Sequence, residues 1–335
     1  MATLAPTSGF RLGGSIFQAK PRRFSPVLVS SRSGGGNAAS DMAVFLEIDG
    51  VVADLHRHGH RQSFNVAFQR LGLDCANWTE PVYLDLLRQA GSDETQMLTT
   101  FFDRIGWPMS LPTNEKDTFV RKLMESKQHE LETLAASDAI PIRPDLTSFV
   151  DEAMGELVPV VFISSYSKSG ERVARLLLDK LGMERLDYIK IVGSHEVESS
   201  AYGQVVLGLG VSSSPDELLA TEVAKAVSSE KQRLASEVAS TLKLKVDLDT
   251  TSSVLLKTTI AALRAAAETA GVPIDRGILL AGAYLGTEAA SRISLPCVVV
   301  RSSLTARAEF PLARATLEGF GAGAITLSRL RKYLA

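Results

Sequence analysis

The stretch Ala43-Val-Phe-Leu-Glu-Ile-Asp-Gly-Val-Val-Ala-Asp54 decides how the rest of the chain is interpreted. An apolar run leads into two carboxyl side chains, Glu47 and Asp49, which stand on either side of Ile48. Residues two apart in a strand point to the same side. The stretch therefore predicts a strand over residues 43–48 that is buried on both faces and presents two carboxyl groups at its end.

Alternating segments after residue 140 predict a parallel sheet. The predicted strands are 158–163, 188–192, 277–280 and 297–300, and the predicted helices are 146–155, 170–181, 253–270 and 287–293. Repeated β-then-α units favour a doubly wound α/β fold. Residues 59–136 show a helical pattern without strands, so they predict a helical domain inserted after the first strand.

Residues 193–252 interrupt this alternation. A strand-like run over 205–211 precedes Ser214-Pro215-Asp216-Glu217, which combines an N-cap, a proline at the first helical position and a capping-box glutamate. A helix with an apolar stripe should follow to about residue 242. We interpret the stripe as packing onto the core, and a partner-binding surface is the alternative.

Residues 1–40 have the composition of a targeting peptide. They are rich in serine, contain no acidic residue before Asp41, and carry Arg11, Lys20, Arg22, Arg23 and Arg32. This composition predicts a plastid transit peptide over residues 1–41 and a chloroplast (stroma) location, with the mitochondrion as the alternative.

The bulk composition limits the function classes. The formal net charge of -2 argues against a nucleic-acid partner. No apolar run approaches the roughly 18 residues that a membrane helix needs, so no membrane partner is predicted. Cys75 and Cys297 lie far apart without metal-ligand spacing, which favours a reducing compartment.

The opening strand resembles that of the haloacid dehalogenase-like (HAD) hydrolases, whose signature is D-x-D-G-[TV]. Three further landmarks resemble the CbbY-like branch, the plastid sugar-bisphosphate phosphatases. They are Gly59-His60-Arg61-Gln62-Ser63-Phe64-Asn65, Gly106-Trp107-Pro108 and Pro141-Ile142-Arg143-Pro144. The resemblance runs from residue 43 to the C-terminus, except for 193–252. It implies a HAD-like core over 43–57 and 140–335 with an α-helical cap over 58–139.

The resemblance also implies roles for individual residues. Glu47 occupies the nucleophile position, where the family has Asp. Asp49 occupies the acid–base position. The alternative is that Asp49 caps the loop before Gly50. Ser164 occupies the phosphate-binding position. Lys257 is the candidate for the family's lysine, or else a solvated helix lysine.

His60, Arg61 and Arg143 are the candidate substrate-binding residues, since each could bind an anion. Each could equally satisfy a helix end or a domain contact.

Two family features are altered in this sequence. Ala281 and Gly282 stand where the resemblance implies an acidic pair that holds Mg²⁺, which leaves Glu47 and Asp49 as the candidate metal ligands. Glu288 follows too far along the chain to replace that pair. The cap loop Gly91-Ser-Asp-Glu-Thr-Gln96 is acidic where the family has cations.

These features predict a catalytically degraded phosphatase, a pseudoenzyme that binds a small phosphorylated metabolite or an unknown protein partner. One alternative is a weak or re-specialised Mg²⁺-dependent phosphatase acting on a sugar phosphate. A second is a scaffold that uses residues 193–252. Mg²⁺ is the expected cofactor if the protein is active, and no cofactor is expected if it is not. The triplet His56-Arg-His58-Gly-His60 is interpreted as a solvated loop rather than a metal cluster.

Overall fold

The computed structural model describes residues 42–73, 76–90, 93–108, 111–206, 250–321 and 324–334, which fall within one compact unit. Several predicted features lie outside the described residues. They are the transit peptide at 1–41, the helix from 214 to about 242, and the first two residues of the acidic loop at 91–96.

A single parallel sheet forms the centre of the described chain. Its strands are β1 (Ala43–Glu47), β2 (Val160–Ile163), β3 (Lys190–Val192), β4 (Gly277–Ala281), β5 (Cys297–Val300) and β6 (Ala315–Leu317). Their order is β3-β2-β1-β4-β5-β6, and every neighbouring pair is parallel. The predicted doubly wound parallel α/β fold is confirmed.

The described residues between β1 and β2 are helical and contain no strand. A turn of π-helix at His56–His60 leads into α1 (Arg61–Arg70), α2 (Glu80–Gln89), α3 (Glu94–Ile105), α4 (Lys116–Ala136) and α5 (Leu146–Gly155). The first of these helices surround an aromatic cluster that includes Phe64, Phe68, Trp78, Tyr83 and Phe102. This inserted helical segment therefore has an apolar core of its own.

Helices follow the later strands on both faces of the sheet. They are α6 (Glu171–Leu178), α7 (Met183–Tyr188), α8 (Ser194–Ser199), α9 (Ala201–Val206), α10 (Thr250–Ala270), α11 (Tyr284–Arg292) and α12 (Leu327–Leu334).

The side chains of β1 alternate between the two faces of the sheet, and this alternation decides the face on which Glu47 lies. Val44 and Leu46 pack on one face of the sheet, and Ala43 and Phe45 on the other, where α10 and α11 lie. Because side chains alternate along a strand, Glu47 points to the face of Ala43 and Phe45. That face ends beneath the first turn of α11.

Two local predictions are wrong. Val205 and Val206, predicted to begin a strand, end helix α9 instead. The hydroxyl of Ser200 accepts a hydrogen bond from the backbone N–H of Gly203 at 3.0 Å, and this cap starts the helix. The His56–His60 stretch is not a solvated loop, since it forms a helical turn in which His60 is 1% exposed.

Candidate ligand-binding cleft at the strand ends

A cleft of about 490 Å³ opens at the carboxyl ends of β1, β2 and β4. Ligands of open α/β sheets bind at this edge. Among the described residues, carboxyl groups line it together with hydroxyl groups, a lysine and many apolar side chains. The lining includes Glu47, Asp49, His56, Tyr166, Lys168, Gly282, Tyr284, Gly286, Glu288 and Phe310.

Glu47 forms the floor of the cleft and is 4% exposed. Its Oε1 accepts a hydrogen bond from the hydroxyl of Tyr166 at 2.9 Å, and its Oε2 accepts one from the backbone N–H of Gly282 at 2.8 Å. Burial raises the pKa of the Glu47 carboxyl from 4.5 to about 7, although the bonds from Gly282 and Tyr166 lower it. Two uncharged groups, a tyrosine hydroxyl and a backbone N–H, thus donate hydrogen bonds to this carboxyl group.

The extra methylene of Glu47 fits because α11 carries a glycine opposite it. A Cβ atom built on Gly286 would lie 1.9 Å from Oε1 of Glu47. The absence of a side chain at residue 286 therefore makes the space that the longer acid occupies.

Asp49 is held by the loop that follows β2. Its Oδ2 accepts hydrogen bonds from the hydroxyl of Ser167 and the backbone N–H of Lys168, both at 2.9 Å. Its Oδ1 accepts a bond from the hydroxyl of Ser169. Both oxygens of Asp49 are therefore engaged in fixing this loop.

Gly282 and Gly50 bring the ends of β4 and β1 unusually close together. A Cβ atom on Gly282 would lie 2.0 Å from the backbone oxygen of Asp49. Gly50 has φ +82°, a left-handed conformation that side chains rarely adopt. An acidic residue at 282 would require this backbone to move apart.

The residues of the cleft do not fit a bound Mg²⁺ ion. Mg²⁺ requires octahedral oxygen ligands and usually one or two carboxylates. Ala281 and Gly282 supply no oxygen from their side chains, and each carboxyl oxygen of Glu47 and Asp49 accepts at least one hydrogen bond, which leaves at most one lone pair on each for a cation. Within the described ranges, no group of three or more His, Cys, Asp or Glu side chains could hold a metal ion.

The predicted phosphate and lysine positions lie away from the cleft lining. Ser164 is buried, and its hydroxyl donates to the backbone oxygen of Val192 at 3.3 Å. Lys257 is exposed on α10. Instead, Lys168 lines the cleft, in the serine-rich loop whose backbone holds Asp49.

The predicted substrate-binding residues make internal contacts. Arg61 donates to the backbone oxygen of Trp78 at 3.2 Å. Arg143 donates to the backbone oxygen of Gly50 at 2.8 Å and to that of Arg301, and burial lowers its pKa. Arg143 therefore connects the loops that follow β1 and β5, and Arg61 connects α1 to the segment before α2.

His60 belongs to a buried polar chain that runs from the cleft into the inserted helical segment. The hydroxyl of Ser169 lies 3.1 Å from Nε2 of His60, and Nδ1 of His60 lies 3.2 Å from Oε1 of Glu94. Lys127, which is 1% exposed, donates to Oε2 of Glu94 at 2.7 Å. Ser169, His60 and Glu94 have the spacing of a nucleophile–base–acid triad, but Ser169 is fully buried and its hydroxyl is bonded to Asp49.

Glu288 also lines the cleft. The residue follows Gly282 by less than two turns of α11, so the helix carries it along the cleft wall. Its carboxyl group lies 3.5 Å from Arg292. The sequence does not indicate Tyr166 and Gly286 as site residues, because a lone tyrosine or glycine gives no local signal of such contacts.

Comparisons with known proteins bear on the sequence and the fold. No family model matches the chain. It is 26% identical over 320 residues to a CBBY-like protein of Arabidopsis thaliana, with 93% of this chain and 80% of that protein covered. A crystal structure of a CbbY variant from Rhodobacter sphaeroides, in complex with xylulose-1,5-bisphosphate, has a TM-score of 0.50 at 18% identity and covers 83% of this chain and 94% of that one. The sequence match and the shared fold support the resemblance that the opening strand indicated.

Proposed function

We propose that this chain, a relative of the CbbY-like proteins with a HAD-like fold, binds a small molecule in the Glu47 cleft without transferring phosphoryl groups. The observation that carries the proposal is the set of hydrogen bonds that the Glu47 carboxyl group accepts. Both of its oxygens accept hydrogen bonds from the protein, and no acidic side chain stands at residues 281 and 282.

In-line attack on phosphorus needs an ionised, accurately placed nucleophile and cations that absorb the developing charge. The raised pKa of about 7 leaves much of Glu47 protonated at neutral pH. Its added methylene moves the oxygens outward, and a displacement of about 1 Å costs on the order of 10²-fold in rate. These features oppose catalysis at the nucleophile itself.

The size and lining of the cleft support ligand binding. Its volume of about 490 Å³ lies within the range of small-molecule sites. Apolar walls with a few converging polar groups are typical of such sites. A pseudophosphatase that binds a metabolite is therefore the function that the geometry favours.

One observation favours weak phosphatase activity as the second candidate function. Lys168 lines the cleft beside Glu47 and Asp49, so a cationic group is available to contact a phosphate. The reaction would still require Mg²⁺ held by carboxyl groups that already accept hydrogen bonds.

A hydrolysis assay on the full chain distinguishes these two functions. Xylulose-1,5-bisphosphate and p-nitrophenyl phosphate serve as substrates with Mg²⁺ present. The pseudophosphatase proposal predicts that phosphate release equals that of the Glu47→Gln and Asp49→Asn variants. Turnover that both substitutions abolish would establish the enzyme.

We further propose a chloroplast (stroma) location. The support is the acid-free, basic composition of residues 1–40 and the plant origin of the CBBY-like relative. Among the described residues, no helix is long and apolar enough to span a bilayer. Import of the labelled chain into isolated chloroplasts, with shortening to a protease-protected product, tests the proposal; uptake by mitochondria instead would contradict it.

A scaffold role for residues 193–252 is a further proposal from the sequence. Most of these residues lie outside the described part of the chain. Deletion of residues 212–243 should remove a specific co-purifying protein if they bind a partner, and it should leave the cleft's ligand affinity unchanged.

A further inference from the structure

The buried polar chain around His60 joins the inserted helical segment to the core. His60 ends the π-helical turn before α1, and Glu94 and Lys127 belong to α3 and α4. Ser169 lies in the core, in the loop between β2 and α6, and is fully buried. Its backbone oxygen also accepts a hydrogen bond from the side-chain amide of Gln128 on α4 at 3.1 Å. The contacts of His60 and Ser169 therefore hold two parts of the fold together.

The hydroxyl group of Ser169 can only accept a hydrogen bond from His60. A hydroxyl has one proton to donate, and that of Ser169 is directed to Oδ1 of Asp49, whose Oδ2 accepts two more hydrogen bonds from the same loop. The Oγ atom therefore presents lone pairs to Nε2 of His60, 3.1 Å away. For this contact to be a hydrogen bond, Nε2 must carry a proton.

The second ring nitrogen of His60 faces a carboxylate. Nδ1 lies 3.2 Å from Oε1 of Glu94. Burial raises the pKa of Glu94, but the nearby His60 and Lys127 outweigh burial and hold the pKa below its ordinary value. Glu94 is therefore ionised at neutral pH and has no proton to donate. A lone pair on Nδ1 would be repelled there, so Nδ1 must carry a proton as well.

The groups beside His60 are compatible with a positive charge on its ring. The rings of His56 and His60 lie 4.9 Å apart, centroid to centroid, but burial and the charge of His60 lower the pKa of His56 to about 3. His56 is thus neutral, and its Nδ1 accepts from the hydroxyl of Tyr83 at 2.8 Å, whose pKa burial raises. Three carboxyl groups favour positive charge in this part of the chain, those of Asp49, Asp54 and Glu94.

We infer that His60 is a buried imidazolium ion at neutral pH, and that its loss of a proton at higher pH loosens the contact between the inserted segment and the core. Neutral imidazole has one N–H and one lone pair, so it leaves either Ser169 or Glu94 facing a lone pair. A buried polar group without its hydrogen bond destabilises the contact. Because Lys168 precedes Ser169 and lines the cleft, the proton also acts on a loop of the cleft wall. The inference does not depend on what the cleft binds.

Nitrogen NMR of the histidine side chains tests the protonation state in the wild-type full chain. In protein labelled with ¹⁵N-histidine, long-range ¹H–¹⁵N spectra distinguish an imidazolium ion from either neutral tautomer. The chain has five histidines. The His60→Gln variant identifies the signals of His60, and substitution of the other four in turn identifies them by elimination if that variant does not fold. Both ring nitrogens of His60 should be protonated at pH 7, and a neutral tautomer at that pH would overturn the inference.

Ser169→Ala and Ser167→Ala form a matched pair. Each removes a hydroxyl that donates to Asp49, but the contact with His60 belongs to Ser169. At pH 8 the protonated fraction of His60 should be several-fold smaller in Ser169→Ala than in the wild type, and unchanged in Ser167→Ala. A merely structural role of Ser169 would not move this fraction. Equal effects of the two substitutions, or no effect of either, would contradict the assigned hydrogen bond.

Hydrogen exchange of the wild type tests the loosening. After correction for the intrinsic exchange rate, the protection of amides in α3 and in residues 164–170 should fall between pH 7 and pH 9. Release of one proton limits this fall to about tenfold per pH unit. The amides of α5 are the internal control and should keep their protection. Constant protection in α3, or an equal loss in α5, would reject a local opening linked to His60.

Discussion

The backbone N–H of Gly282 donates a 2.8 Å hydrogen bond to Oε2 of Glu47, joining the end of β4 to the end of β1. The contact places a neutral donor where the resemblance implies a second carboxyl side chain. It also requires the close backbone approach that only a residue without a Cβ allows. The altered residues 47 and 282 therefore form one mutually dependent arrangement.

The fit of Glu47 against α11 makes Gly286→Ala destabilising. The new Cβ would lie 1.9 Å from Oε1 of Glu47, so the buried acid or the helix must shift. Overpacking of this kind costs about 1–3 kcal/mol. Urea unfolding measures the loss. The matched control is Gly155→Ala at the end of α5, where nothing lies within 4 Å of the new atom and stability should not fall.

A double-mutant cycle tests whether the same contact explains the longer acid. Glu47→Asp withdraws the carboxyl group from residue 286, so Gly286→Ala should cost less in that background. The coupling free energy should be about 1 kcal/mol or more. Additive losses would show that Gly286 does not make the space for Glu47.

The raised pKa of Glu47 predicts a pH dependence of stability. The folded protein holds this proton up to about pH 7, whereas the unfolded chain releases it near 4.5. Stability from this group is therefore complete below pH 4.5 and is lost as pH rises through 7. Relative to Glu47→Gln, the wild type should lose about 3 kcal/mol of unfolding free energy over that interval. Urea unfolding of both proteins at pH 5 and pH 8 measures the difference; parallel pH profiles would contradict the raised pKa.

Tyr166→Phe removes the hydroxyl that donates to Glu47 at 2.9 Å. Because that bond favours the ionised acid, its loss should raise the pKa of Glu47 further. The free energy of unfolding should fall by about 1.5–3 kcal/mol at pH 8 and by less at pH 5. Tyr202→Phe is the control, since among the described residues its ring contacts Arg264 and its hydroxyl has no hydrogen bond. Equal losses at both pH values would show that the Tyr166 hydroxyl does not stabilise the ionised form.

Glu94→Gln should show the opposite pH trend. Burial alone would raise the pKa of Glu94, but the nearby His60 and Lys127 outweigh burial and hold it below its ordinary value. Its stabilisation is therefore present above pH 4.5 and lost at lower pH. At pH 7 the substitution leaves Lys127 buried without its charged partner and should cost about 3–5 kcal/mol.

Glu125→Gln on α4 is the control for this loss, because Glu125 is exposed and its substitution should change stability by less than about 0.5 kcal/mol. A small loss of unfolding free energy for Glu94→Gln at pH 7 would show that the buried polar chain around His60 does not stabilise the fold.

The sequence predicts the sheet well because its signals are local. Apolar runs such as 43–47 and 277–281 identify buried strands, and helical periodicity identifies the inserted segment between β1 and β2. The sequence does not predict the short strand β6, since three residues carry too little pattern to separate a strand from a loop.

The site was less predictable because its contacts join distant residues. Tyr166 and Glu47 are 119 positions apart, and Gly282 and Glu47 are 235 apart. A family motif identifies the sequence positions at the strand ends. It does not show which groups form hydrogen bonds at those positions once the family's acidic residues are replaced. The serine-rich run 164–169 is the local signal for the loop that holds Asp49, but it does not indicate that Lys168 lines the cleft.

The most direct test of the central claim is covalent trapping on the full chain. The protein is incubated with acetyl phosphate and Mg²⁺, quenched rapidly in acid, and its intact mass is measured. The pseudophosphatase proposal predicts an unmodified mass at every time point. An Mg²⁺-dependent increase of one phosphoryl group that maps to Glu47 would contradict it.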